Sequence, residues 1–267
     1  MRLLVTGASG LLGLNLSLAA AAQGHAVTGL VHSRRLFGVP FDVRQVDLLD
    51  INKGLKAIDA TRPEAVIHCA ALADLNQAET SPELTQQLNA ELPGKLAQAC
   101  ARWGIPFVQI STDAVFDGTQ GQYIEQDTTN PLSVYAKSKL AGEQAVLSEY
   151  RDALVARVVF FGWSLSGKRS LSEFFFNHLQ AGDVHKGFTD VLFSPLYVEH
   201  LALTLLEMLA AELHGIYHVV SPESLSKYEF GVRIARQFGF NPELIVSGRR
   251  KRSKRVASVR PRLALNA

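Results

Sequence analysis

The residues most able to do chemistry together are the tyrosine and lysine of Tyr135-Ala-Lys137-Ser-Lys139, four positions apart and therefore on one face of a helix. A phenol is a poor acid or base near neutral pH, but an ammonium beside it stabilises phenolate and makes proton exchange feasible. Upstream, Ser111-Thr112-Asp113 closes a short apolar run, residues 106–110, that reads as a buried strand. Open α/β sheets place their ligands at the carboxyl ends of such strands. Thr112 is thus suited to donate a hydrogen bond to a substrate oxygen, with Ser111 as the reserve. Phenol, ammonium and hydroxyl are what carbonyl reduction needs beside a hydride donor: a proton for the developing alkoxide, and donors aimed at it. The expected catalytic residues are Thr112, Tyr135 and Lys139, with the Lys139 ammonium also able to bond a nicotinamide ribose. Each residue alone has a structural explanation. Their order along the chain, behind a nucleotide-binding turn, carries the reading.

That turn is Thr6-Gly7-Ala-Ser9-Gly10-Leu11-Leu12-Gly13, which follows the apolar run Leu3, Leu4, Val5 and precedes a leucine-rich helical segment. Gly7 permits a tight reversal, Gly10 lets backbone approach a pyrophosphate, and Gly13 lets helix and strand pack closely. Phosphates would then sit on the N–H groups at the helix start, with Ser9, Leu11 and Leu12 in the cradle. The second strand, residues 25–31, ends at His32-Ser33-Arg34-Arg35, with no acid where an NAD-preferring site would carry one. Arginines there fit a 2′-phosphate, so NADP(H) is the preferred cofactor and NAD(H) the second choice. Asp47 and Leu48 after the third strand would flank the adenine, and the small residues Cys69, Ala70 and Ala71 after the fourth would let the cofactor lie against the sheet. Asn89 is a polar residue beside an apolar helical stripe; it is either a solvated surface residue or one that fixes the lysine or a water. Ser111, Tyr135 and Lys139 complete the cofactor contacts.

The elements that must position these groups alternate between strand and helix. Residues 43–46, 65–68, 106–110 and 153–159 read as further strands, residues 82–103 as one long helix, and Pro131 as the opening of the helix that carries Tyr135. Beyond Phe160-Phe161-Gly162-Trp163 the rhythm weakens. A helix over 171–179, an extended stretch over 188–195, an apolar helix over 198–213, a strand over 215–220 and a helix over 227–238 follow. The expected fold class is α/β, a Rossmann-type doubly wound parallel sheet with a smaller, discontinuous α/β substrate lobe. Residues 1–163 form the dinucleotide-binding domain, with returning segments near 188–213, and residues 164–187 and 214–267 form the lobe.

Composition narrows the class. The chain has 267 residues, 47% hydrophobic and 19% charged, enough for one large core plus a small lobe. No apolar run approaches the roughly 18 residues of a membrane span. No basic, apolar and small-residue leader is visible at the start, so a cytoplasmic location is expected. Cys69 and Cys100 read as buried free thiols, and the eight histidines lack paired ligand spacing, so no metal is expected. Eight of the 27 basic residues fall between 249 and 262 with no acid among them, leaving the rest of the chain net acidic. Arg260 and Arg262 are the expected diphosphate contacts. Nucleic-acid binding would need a larger basic face than the chain supplies.

Through Thr6-Gly-Ala-Ser-Gly-Leu-Leu-Gly13 and Tyr135-Ala-Lys-Ser-Lys139 the chain resembles the extended branch of the short-chain dehydrogenase/reductase superfamily. Within that branch, Ser111-Thr-Asp-Ala-Val-Phe-Asp-Gly118, Tyr135 to Glu143 and Arg260-Pro-Arg-Leu-Ala-Leu265 are similar to dTDP-4-dehydrorhamnose reductases. The resemblance implies NAD(P)H-dependent reduction of a 4-keto sugar linked to a nucleoside diphosphate. Its catalytic positions fall on Thr112, Tyr135 and Lys139, and its substrate positions on Thr112, Val115, Phe116 and Phe160. Phe160 stands where those reductases carry a sugar-stacking tryptophan. A homodimer is compatible with the class. Two alternatives remain open: a sugar-nucleotide epimerase that retains its cofactor, and a regulatory subunit resembling the methionine adenosyltransferase beta subunit.

Overall fold

Seven parallel strands form the central sheet of the computed structural model, which describes residues 1–250. In chain order they are β1 (Arg2–Thr6), β2 (Ala26–Val31), β3 (Asp42–Gln45), β4 (Ala65–His68), β5 (Phe107–Thr112), β6 (Leu154–Val158) and, much later, β11 (Gly215–Val219). Their spatial order is β11-β6-β5-β4-β1-β2-β3. The chain runs outward from β1 through β2 to β3, then returns to the other side of β1 with β4. The strand order therefore reverses between β1 and β4, and the crevice over their carboxyl ends is where a doubly wound sheet takes its ligand.

Strands of this kind read as near-continuous apolar runs because helices cover both faces. On one face α1 (Leu11–Ala22) and α8 (Val198–Ala210) bury Leu3, Val5, Ile67, Val108 and Val158. On the other, α2 (Ile51–Thr61), α5 (Leu92–Trp103) and α6 (Val134–Glu149) bury Leu4, Leu30, Val66, Phe107 and Val155. Thr6, His68, Gln109, Ser111 and Arg157 share this second face with Leu4, Val66, Phe107 and Val155, because strand side chains alternate. A polar layer thus lies between the sheet and α6 at the carboxyl end.

The structure corrects several expectations. The helix expected over 82–103 is helical throughout but carries a π turn over Gln87–Glu91 between α4 (Pro82–Gln86) and α5, and an unforeseen α3 (Leu75–Thr80) precedes it. Pro131 does not open α6; Ser133 does, its side chain accepting the Ala136 N–H at 3.1 Å. Gly215–Val219, assigned to the lobe from its place in the chain, pairs in register with β6 as the sheet's outer strand. The 188–195 stretch is short pieces rather than one strand.

Between β6 and β11 lie β7 (Phe160–Phe161), α7 (Leu171–Gln180), β8 (His185–Phe188), β9 (Leu192–Phe193) and β10 (Leu196–Tyr197). After β11 come β12 (Leu225–Ser226), α9 (Lys227–Gln237) and β13 (Ile245–Gly248). Phe175, Phe193, Phe230 and Ile234 from these segments form a separate aromatic core, and Phe161 meets Phe230 edge-on at 5.1 Å. Ser170 and Ser226 each start their helix with a capping box to Glu173 and Glu229. Among the described residues, no helix is long and apolar enough to cross a membrane.

Candidate functional site

The turn between β1 and α1 leaves no room for side chains. Gly7 sits at φ +67°, and a Cβ there would come within 2.8 Å of the Ala70 backbone. A Cβ at Gly13 would collide with the Gly7 carbonyl oxygen, to which Gly10 N donates at 2.9 Å. Gly10 begins α1 without a side-chain cap, and the first turn carries no acid. This leaves a positively polarised helix start facing the crevice, suited to an anionic diphosphate. Ser9, Gly10 and Leu11 are partly exposed there, whereas the Leu12 side chain belongs to the core. The Thr6 hydroxyl contacts His68 Nδ1 at 2.8 Å and accepts the Ala70 N–H at 3.1 Å. It therefore holds Cys69, Ala70 and Ala71 against the glycine turn.

At the far end of the crevice, His32 Nε2 and Asp47 Oδ1 approach to 3.9 Å, joining the ends of β2 and β3. Ser33, Arg34 and Arg35 are exposed beyond them. Leu48 packs on Gly54 of α2 and the second core, so only part of it faces outward. These residues, with the glycine cradle, fit a phosphorylated dinucleotide.

Thr112 ends β5, and its hydroxyl accepts the Ala114 N–H at 3.2 Å and donates to Asp113 Oδ1 at 3.2 Å. Tyr135, half-buried in the first turn of α6, stands near Thr112 and Asp113 at the end of β5. Burial above all, then the charge of Asp113, pushes its phenol up to about 12, with Thr112 opposing. The neutral phenol is the form a proton donor needs. Lys139, one turn on and 4% exposed, donates from Nζ to the Ile110 carbonyl at 2.6 Å. Burial brings its ammonium down to about 8, against the upward pull of Glu143 and Cys69. Hydroxyl, phenol and ammonium thus converge beside the β5 terminus, next to the turn that would hold a dinucleotide.

Four expected contacts lie elsewhere. Ser111 is no reserve for Thr112: its hydroxyl donates to Glu143 Oε1 at 2.5 Å inside the polar layer. Asn89 is neither on the surface nor at Lys139. It is buried in the π turn, where Oδ1 accepts the Leu72 N–H at 2.8 Å and Nδ2 donates at 3.0 Å to the Leu72 carbonyl and to the Ser138 hydroxyl. Val115 and Phe116 are buried in a satellite core, Phe116 stacking on Tyr123 at 4.4 Å. The loop after β5 folds inward, so these side chains face away from the crevice. Phe160 is half-buried and packs against the first core. Cys100 is buried as expected; Cys69 is only partly so. Arg260 and Arg262 lie outside the described residues.

The sequence reading missed Asp113, Glu143, Arg157 and Lys227. Asp113 is 6% exposed, and its Oδ2 has no hydrogen-bond partner among the described residues. Burial raises its carboxyl to about 7, opposed by the Thr112 hydrogen bond and the Lys227 charge. Arg157 was detectable as a charge inside an otherwise apolar strand, Leu-Val-Ala-Arg-Val, a residue that burial tolerates only with partners.

A family described as "RmlD substrate binding domain" matches residues 1–264. The probable low-salt glycan biosynthesis reductase Agl14 of Haloferax volcanii is 38% identical over 248 residues, covering 91% of this chain and 82% of that protein. The dTDP-4-dehydrorhamnose reductase of Mycobacterium tuberculosis is 34% identical over 254 residues, covering 91% and 78%. The methionine adenosyltransferase 2 subunit beta of Bos taurus is 34% identical over 247 residues, covering 89% and 72%. Among solved structures, dTDP-4-dehydrorhamnose reductase from Bacillus anthracis, in complex with NADP, superposes with a TM-score of 0.85 at 25% identity, covering 97% of this chain and 88% of that one.

Proposed function

Since the chain belongs to the RmlD substrate-binding-domain family, within the extended short-chain dehydrogenase/reductases, we propose that it is an NADPH-dependent reductase of a 4-keto sugar carried on a nucleoside diphosphate. The observation that supports this reading is the placing of Thr112 at the end of β5, with the buried Lys139 ammonium on the Ile110 carbonyl of the same strand and Tyr135 one turn before Lys139 on α6, beside an uncapped, glycine-built helix start.

NADPH, when bound, supplies the hydride for the carbonyl carbon. Gly7, Gly10 and Gly13 admit the diphosphate, and Arg34 and Arg35 attract a 2′-phosphate. Thr112, with its hydroxyl proton turned from Asp113 Oδ1 to the substrate, donates to the carbonyl oxygen and holds it within reach of Tyr135. As the carbon–oxygen double bond opens, the phenolic O–H proton of Tyr135 passes to that oxygen, giving the alcohol. Lys139 bears the positive charge that stabilises the phenolate left behind, until solvent returns the proton. A 4-keto sugar is the substrate class named for the reductase relatives.

Incubation with NADPH and dTDP-4-keto-6-deoxyhexose should consume NADPH stoichiometrically with alcohol formed. NADH should support a lower kcat/KM, and Arg34→Ala/Arg35→Ala should narrow that gap. No turnover with either cofactor would defeat the proposal. The similarity to a methionine adenosyltransferase beta subunit favours a second reading, a dinucleotide-binding regulatory subunit. Under that reading the protein would copurify with, and change the kinetics of, a partner enzyme, and Tyr135→Phe would leave that effect intact.

A further inference from the structure

One turn beyond Lys139 on α6, Glu143 is 1% exposed and fully engaged. Its Oε1 accepts from Ser111 Oγ at 2.5 Å and from Arg157 Nε at 3.0 Å, and its Oε2 accepts from Arg157 Nη2 at 2.7 Å. Ser111 and Arg157 are cross-strand partners on β5 and β6. Arg157 is fixed in turn: Nη1 donates to the Glu125 carbonyl at 3.4 Å, and its guanidinium lies 5.2 Å over the Phe116 ring. Buried ion pairs of this kind are often no more stabilising than apolar replacements of similar volume, so stability is a weak reason for the arrangement.

Its position supplies a stronger one. The titratable groups facing Lys139 are Glu143 on its own helix, His68 at the end of β4 and Cys69 just after it, and Tyr135 stands one turn before it on α6. Burial drives His68 down to about 3 and Cys69 up to about 12, and burial with the Asp113 charge takes Tyr135 up to about 12, so all three are neutral at pH 7. Glu143 brings the one carboxylate into this group, and its ion pair with Arg157 and its hydrogen bond from Ser111 fix the orientation of that carboxylate.

We propose that Glu143, clamped by Arg157 and Ser111, is a positioning residue whose fixed carboxylate keeps the buried Lys139 protonated beside Tyr135. The inference rests on the reductase reading for its effect on rate, but its electrostatic content is testable without turnover.

The readout is the titration of the Lys139 13Cε resonance, assigned by its loss in Lys139→Met, in the full-length protein. In Glu143→Gln the midpoint should fall by one pH unit or more. The alkaline fall of kcat should move down with it, giving about a fivefold or greater loss at pH 8 and little change at pH 6, with the Kd for NADPH held within about twofold. Ser111→Ala, a milder change, should shift the midpoint the same way by less, and it decides the matter if Glu143→Gln does not fold. An unmoved midpoint in a folded variant, or a rate loss equal at every pH, overturns the proposal. A shifted midpoint in a protein that never oxidises NADPH would leave the electrostatic assignment standing and remove the reductase reading.

Discussion

In the proposed reduction Tyr135 and Thr112 act on the same oxygen. Tyr135→Phe removes the proton donor and should lower kcat by about 10²–10⁴-fold, the usual contribution of general acid catalysis, while NADPH binding measured by fluorescence stays within about twofold. Asp113 makes a prediction about stability. Its carboxyl rises from the ordinary 3.8 to about 7 in the fold, so the folded chain holds that proton more tightly than the unfolded one. Stability therefore falls as pH rises from about 4 to about 7, and the loss is complete above 7. Asp113→Asn keeps the acceptor for Thr112 without the charge. Its thermal midpoint should exceed the parent's by several degrees at pH 8 and converge with it at pH 4, since about 1 kcal/mol moves the midpoint of a chain this size by about 2–4 °C. Equal midpoints at both pH values would show that Asp113 ionises without cost. The placing of Thr112 at a strand end and of Tyr135 and Lys139 one turn apart on a helix was legible in the sequence because their types and spacing are local. The surroundings of Ser111, Asp113, Glu143 and Arg157 were not, because they depend on partners brought from other elements: Ser111 is claimed by Glu143 of α6, 32 positions away.

Helix geometry at two glycines has consequences larger than their size. Gly142 of α6 faces the carbonyl oxygen of Asn89, which a Cβ would strike. The π turn at Gln87–Glu91 thus packs directly on the catalytic helix, and its extra residue turns Asn89 inward to pin Leu72 and Ser138. Gly142→Ala should destabilise the fold by about 1–3 kcal/mol in urea melts, as overpacking does, with kcat falling because Lys139 moves with α6. Gly24, at φ +81° with open space around it, is the contrasting case: substitution there costs only backbone strain and should leave kcat unchanged. The alternation of strands and helices was legible from apolar periodicity. The π turn was not, because its one-residue insertion leaves the apolar stripe nearly intact. The start of α6 was misread because Pro131 is a stronger local signal than the Ser133 cap.

Across the whole molecule, the sheet's order reverses between β1 and β4; Thr112, Tyr135 and Lys139, the proposed catalytic groups, stand on one side of that reversal, and Arg34 and Arg35, the proposed 2′-phosphate contacts, stand on the other. A dinucleotide must therefore bridge the two halves. Saturating NADPH, at about 100 times its Kd, should add about 2.7 kcal/mol of stability and raise the thermal midpoint by about 5 °C or more. A shift confined to Arg34→Ala/Arg35→Ala variants and absent in the parent would contradict that span. The parallel sheet itself was legible through β6, whereas β11 was assigned to the wrong body because nothing in Gly215–Val219 marks it as the neighbour of a strand so far upstream. That separation also bears on how the chain is made. The edge of β6, five buried positions from Leu154 to Val158, emerges from the ribosome roughly 60 residues before its partner, an interval of several seconds at ordinary rates of synthesis. During it, nascent chains on one messenger expose the same unpaired, apolar border to one another. Yield on overexpression should accordingly depend on translation speed and chaperone supply more than on the stability of the finished fold.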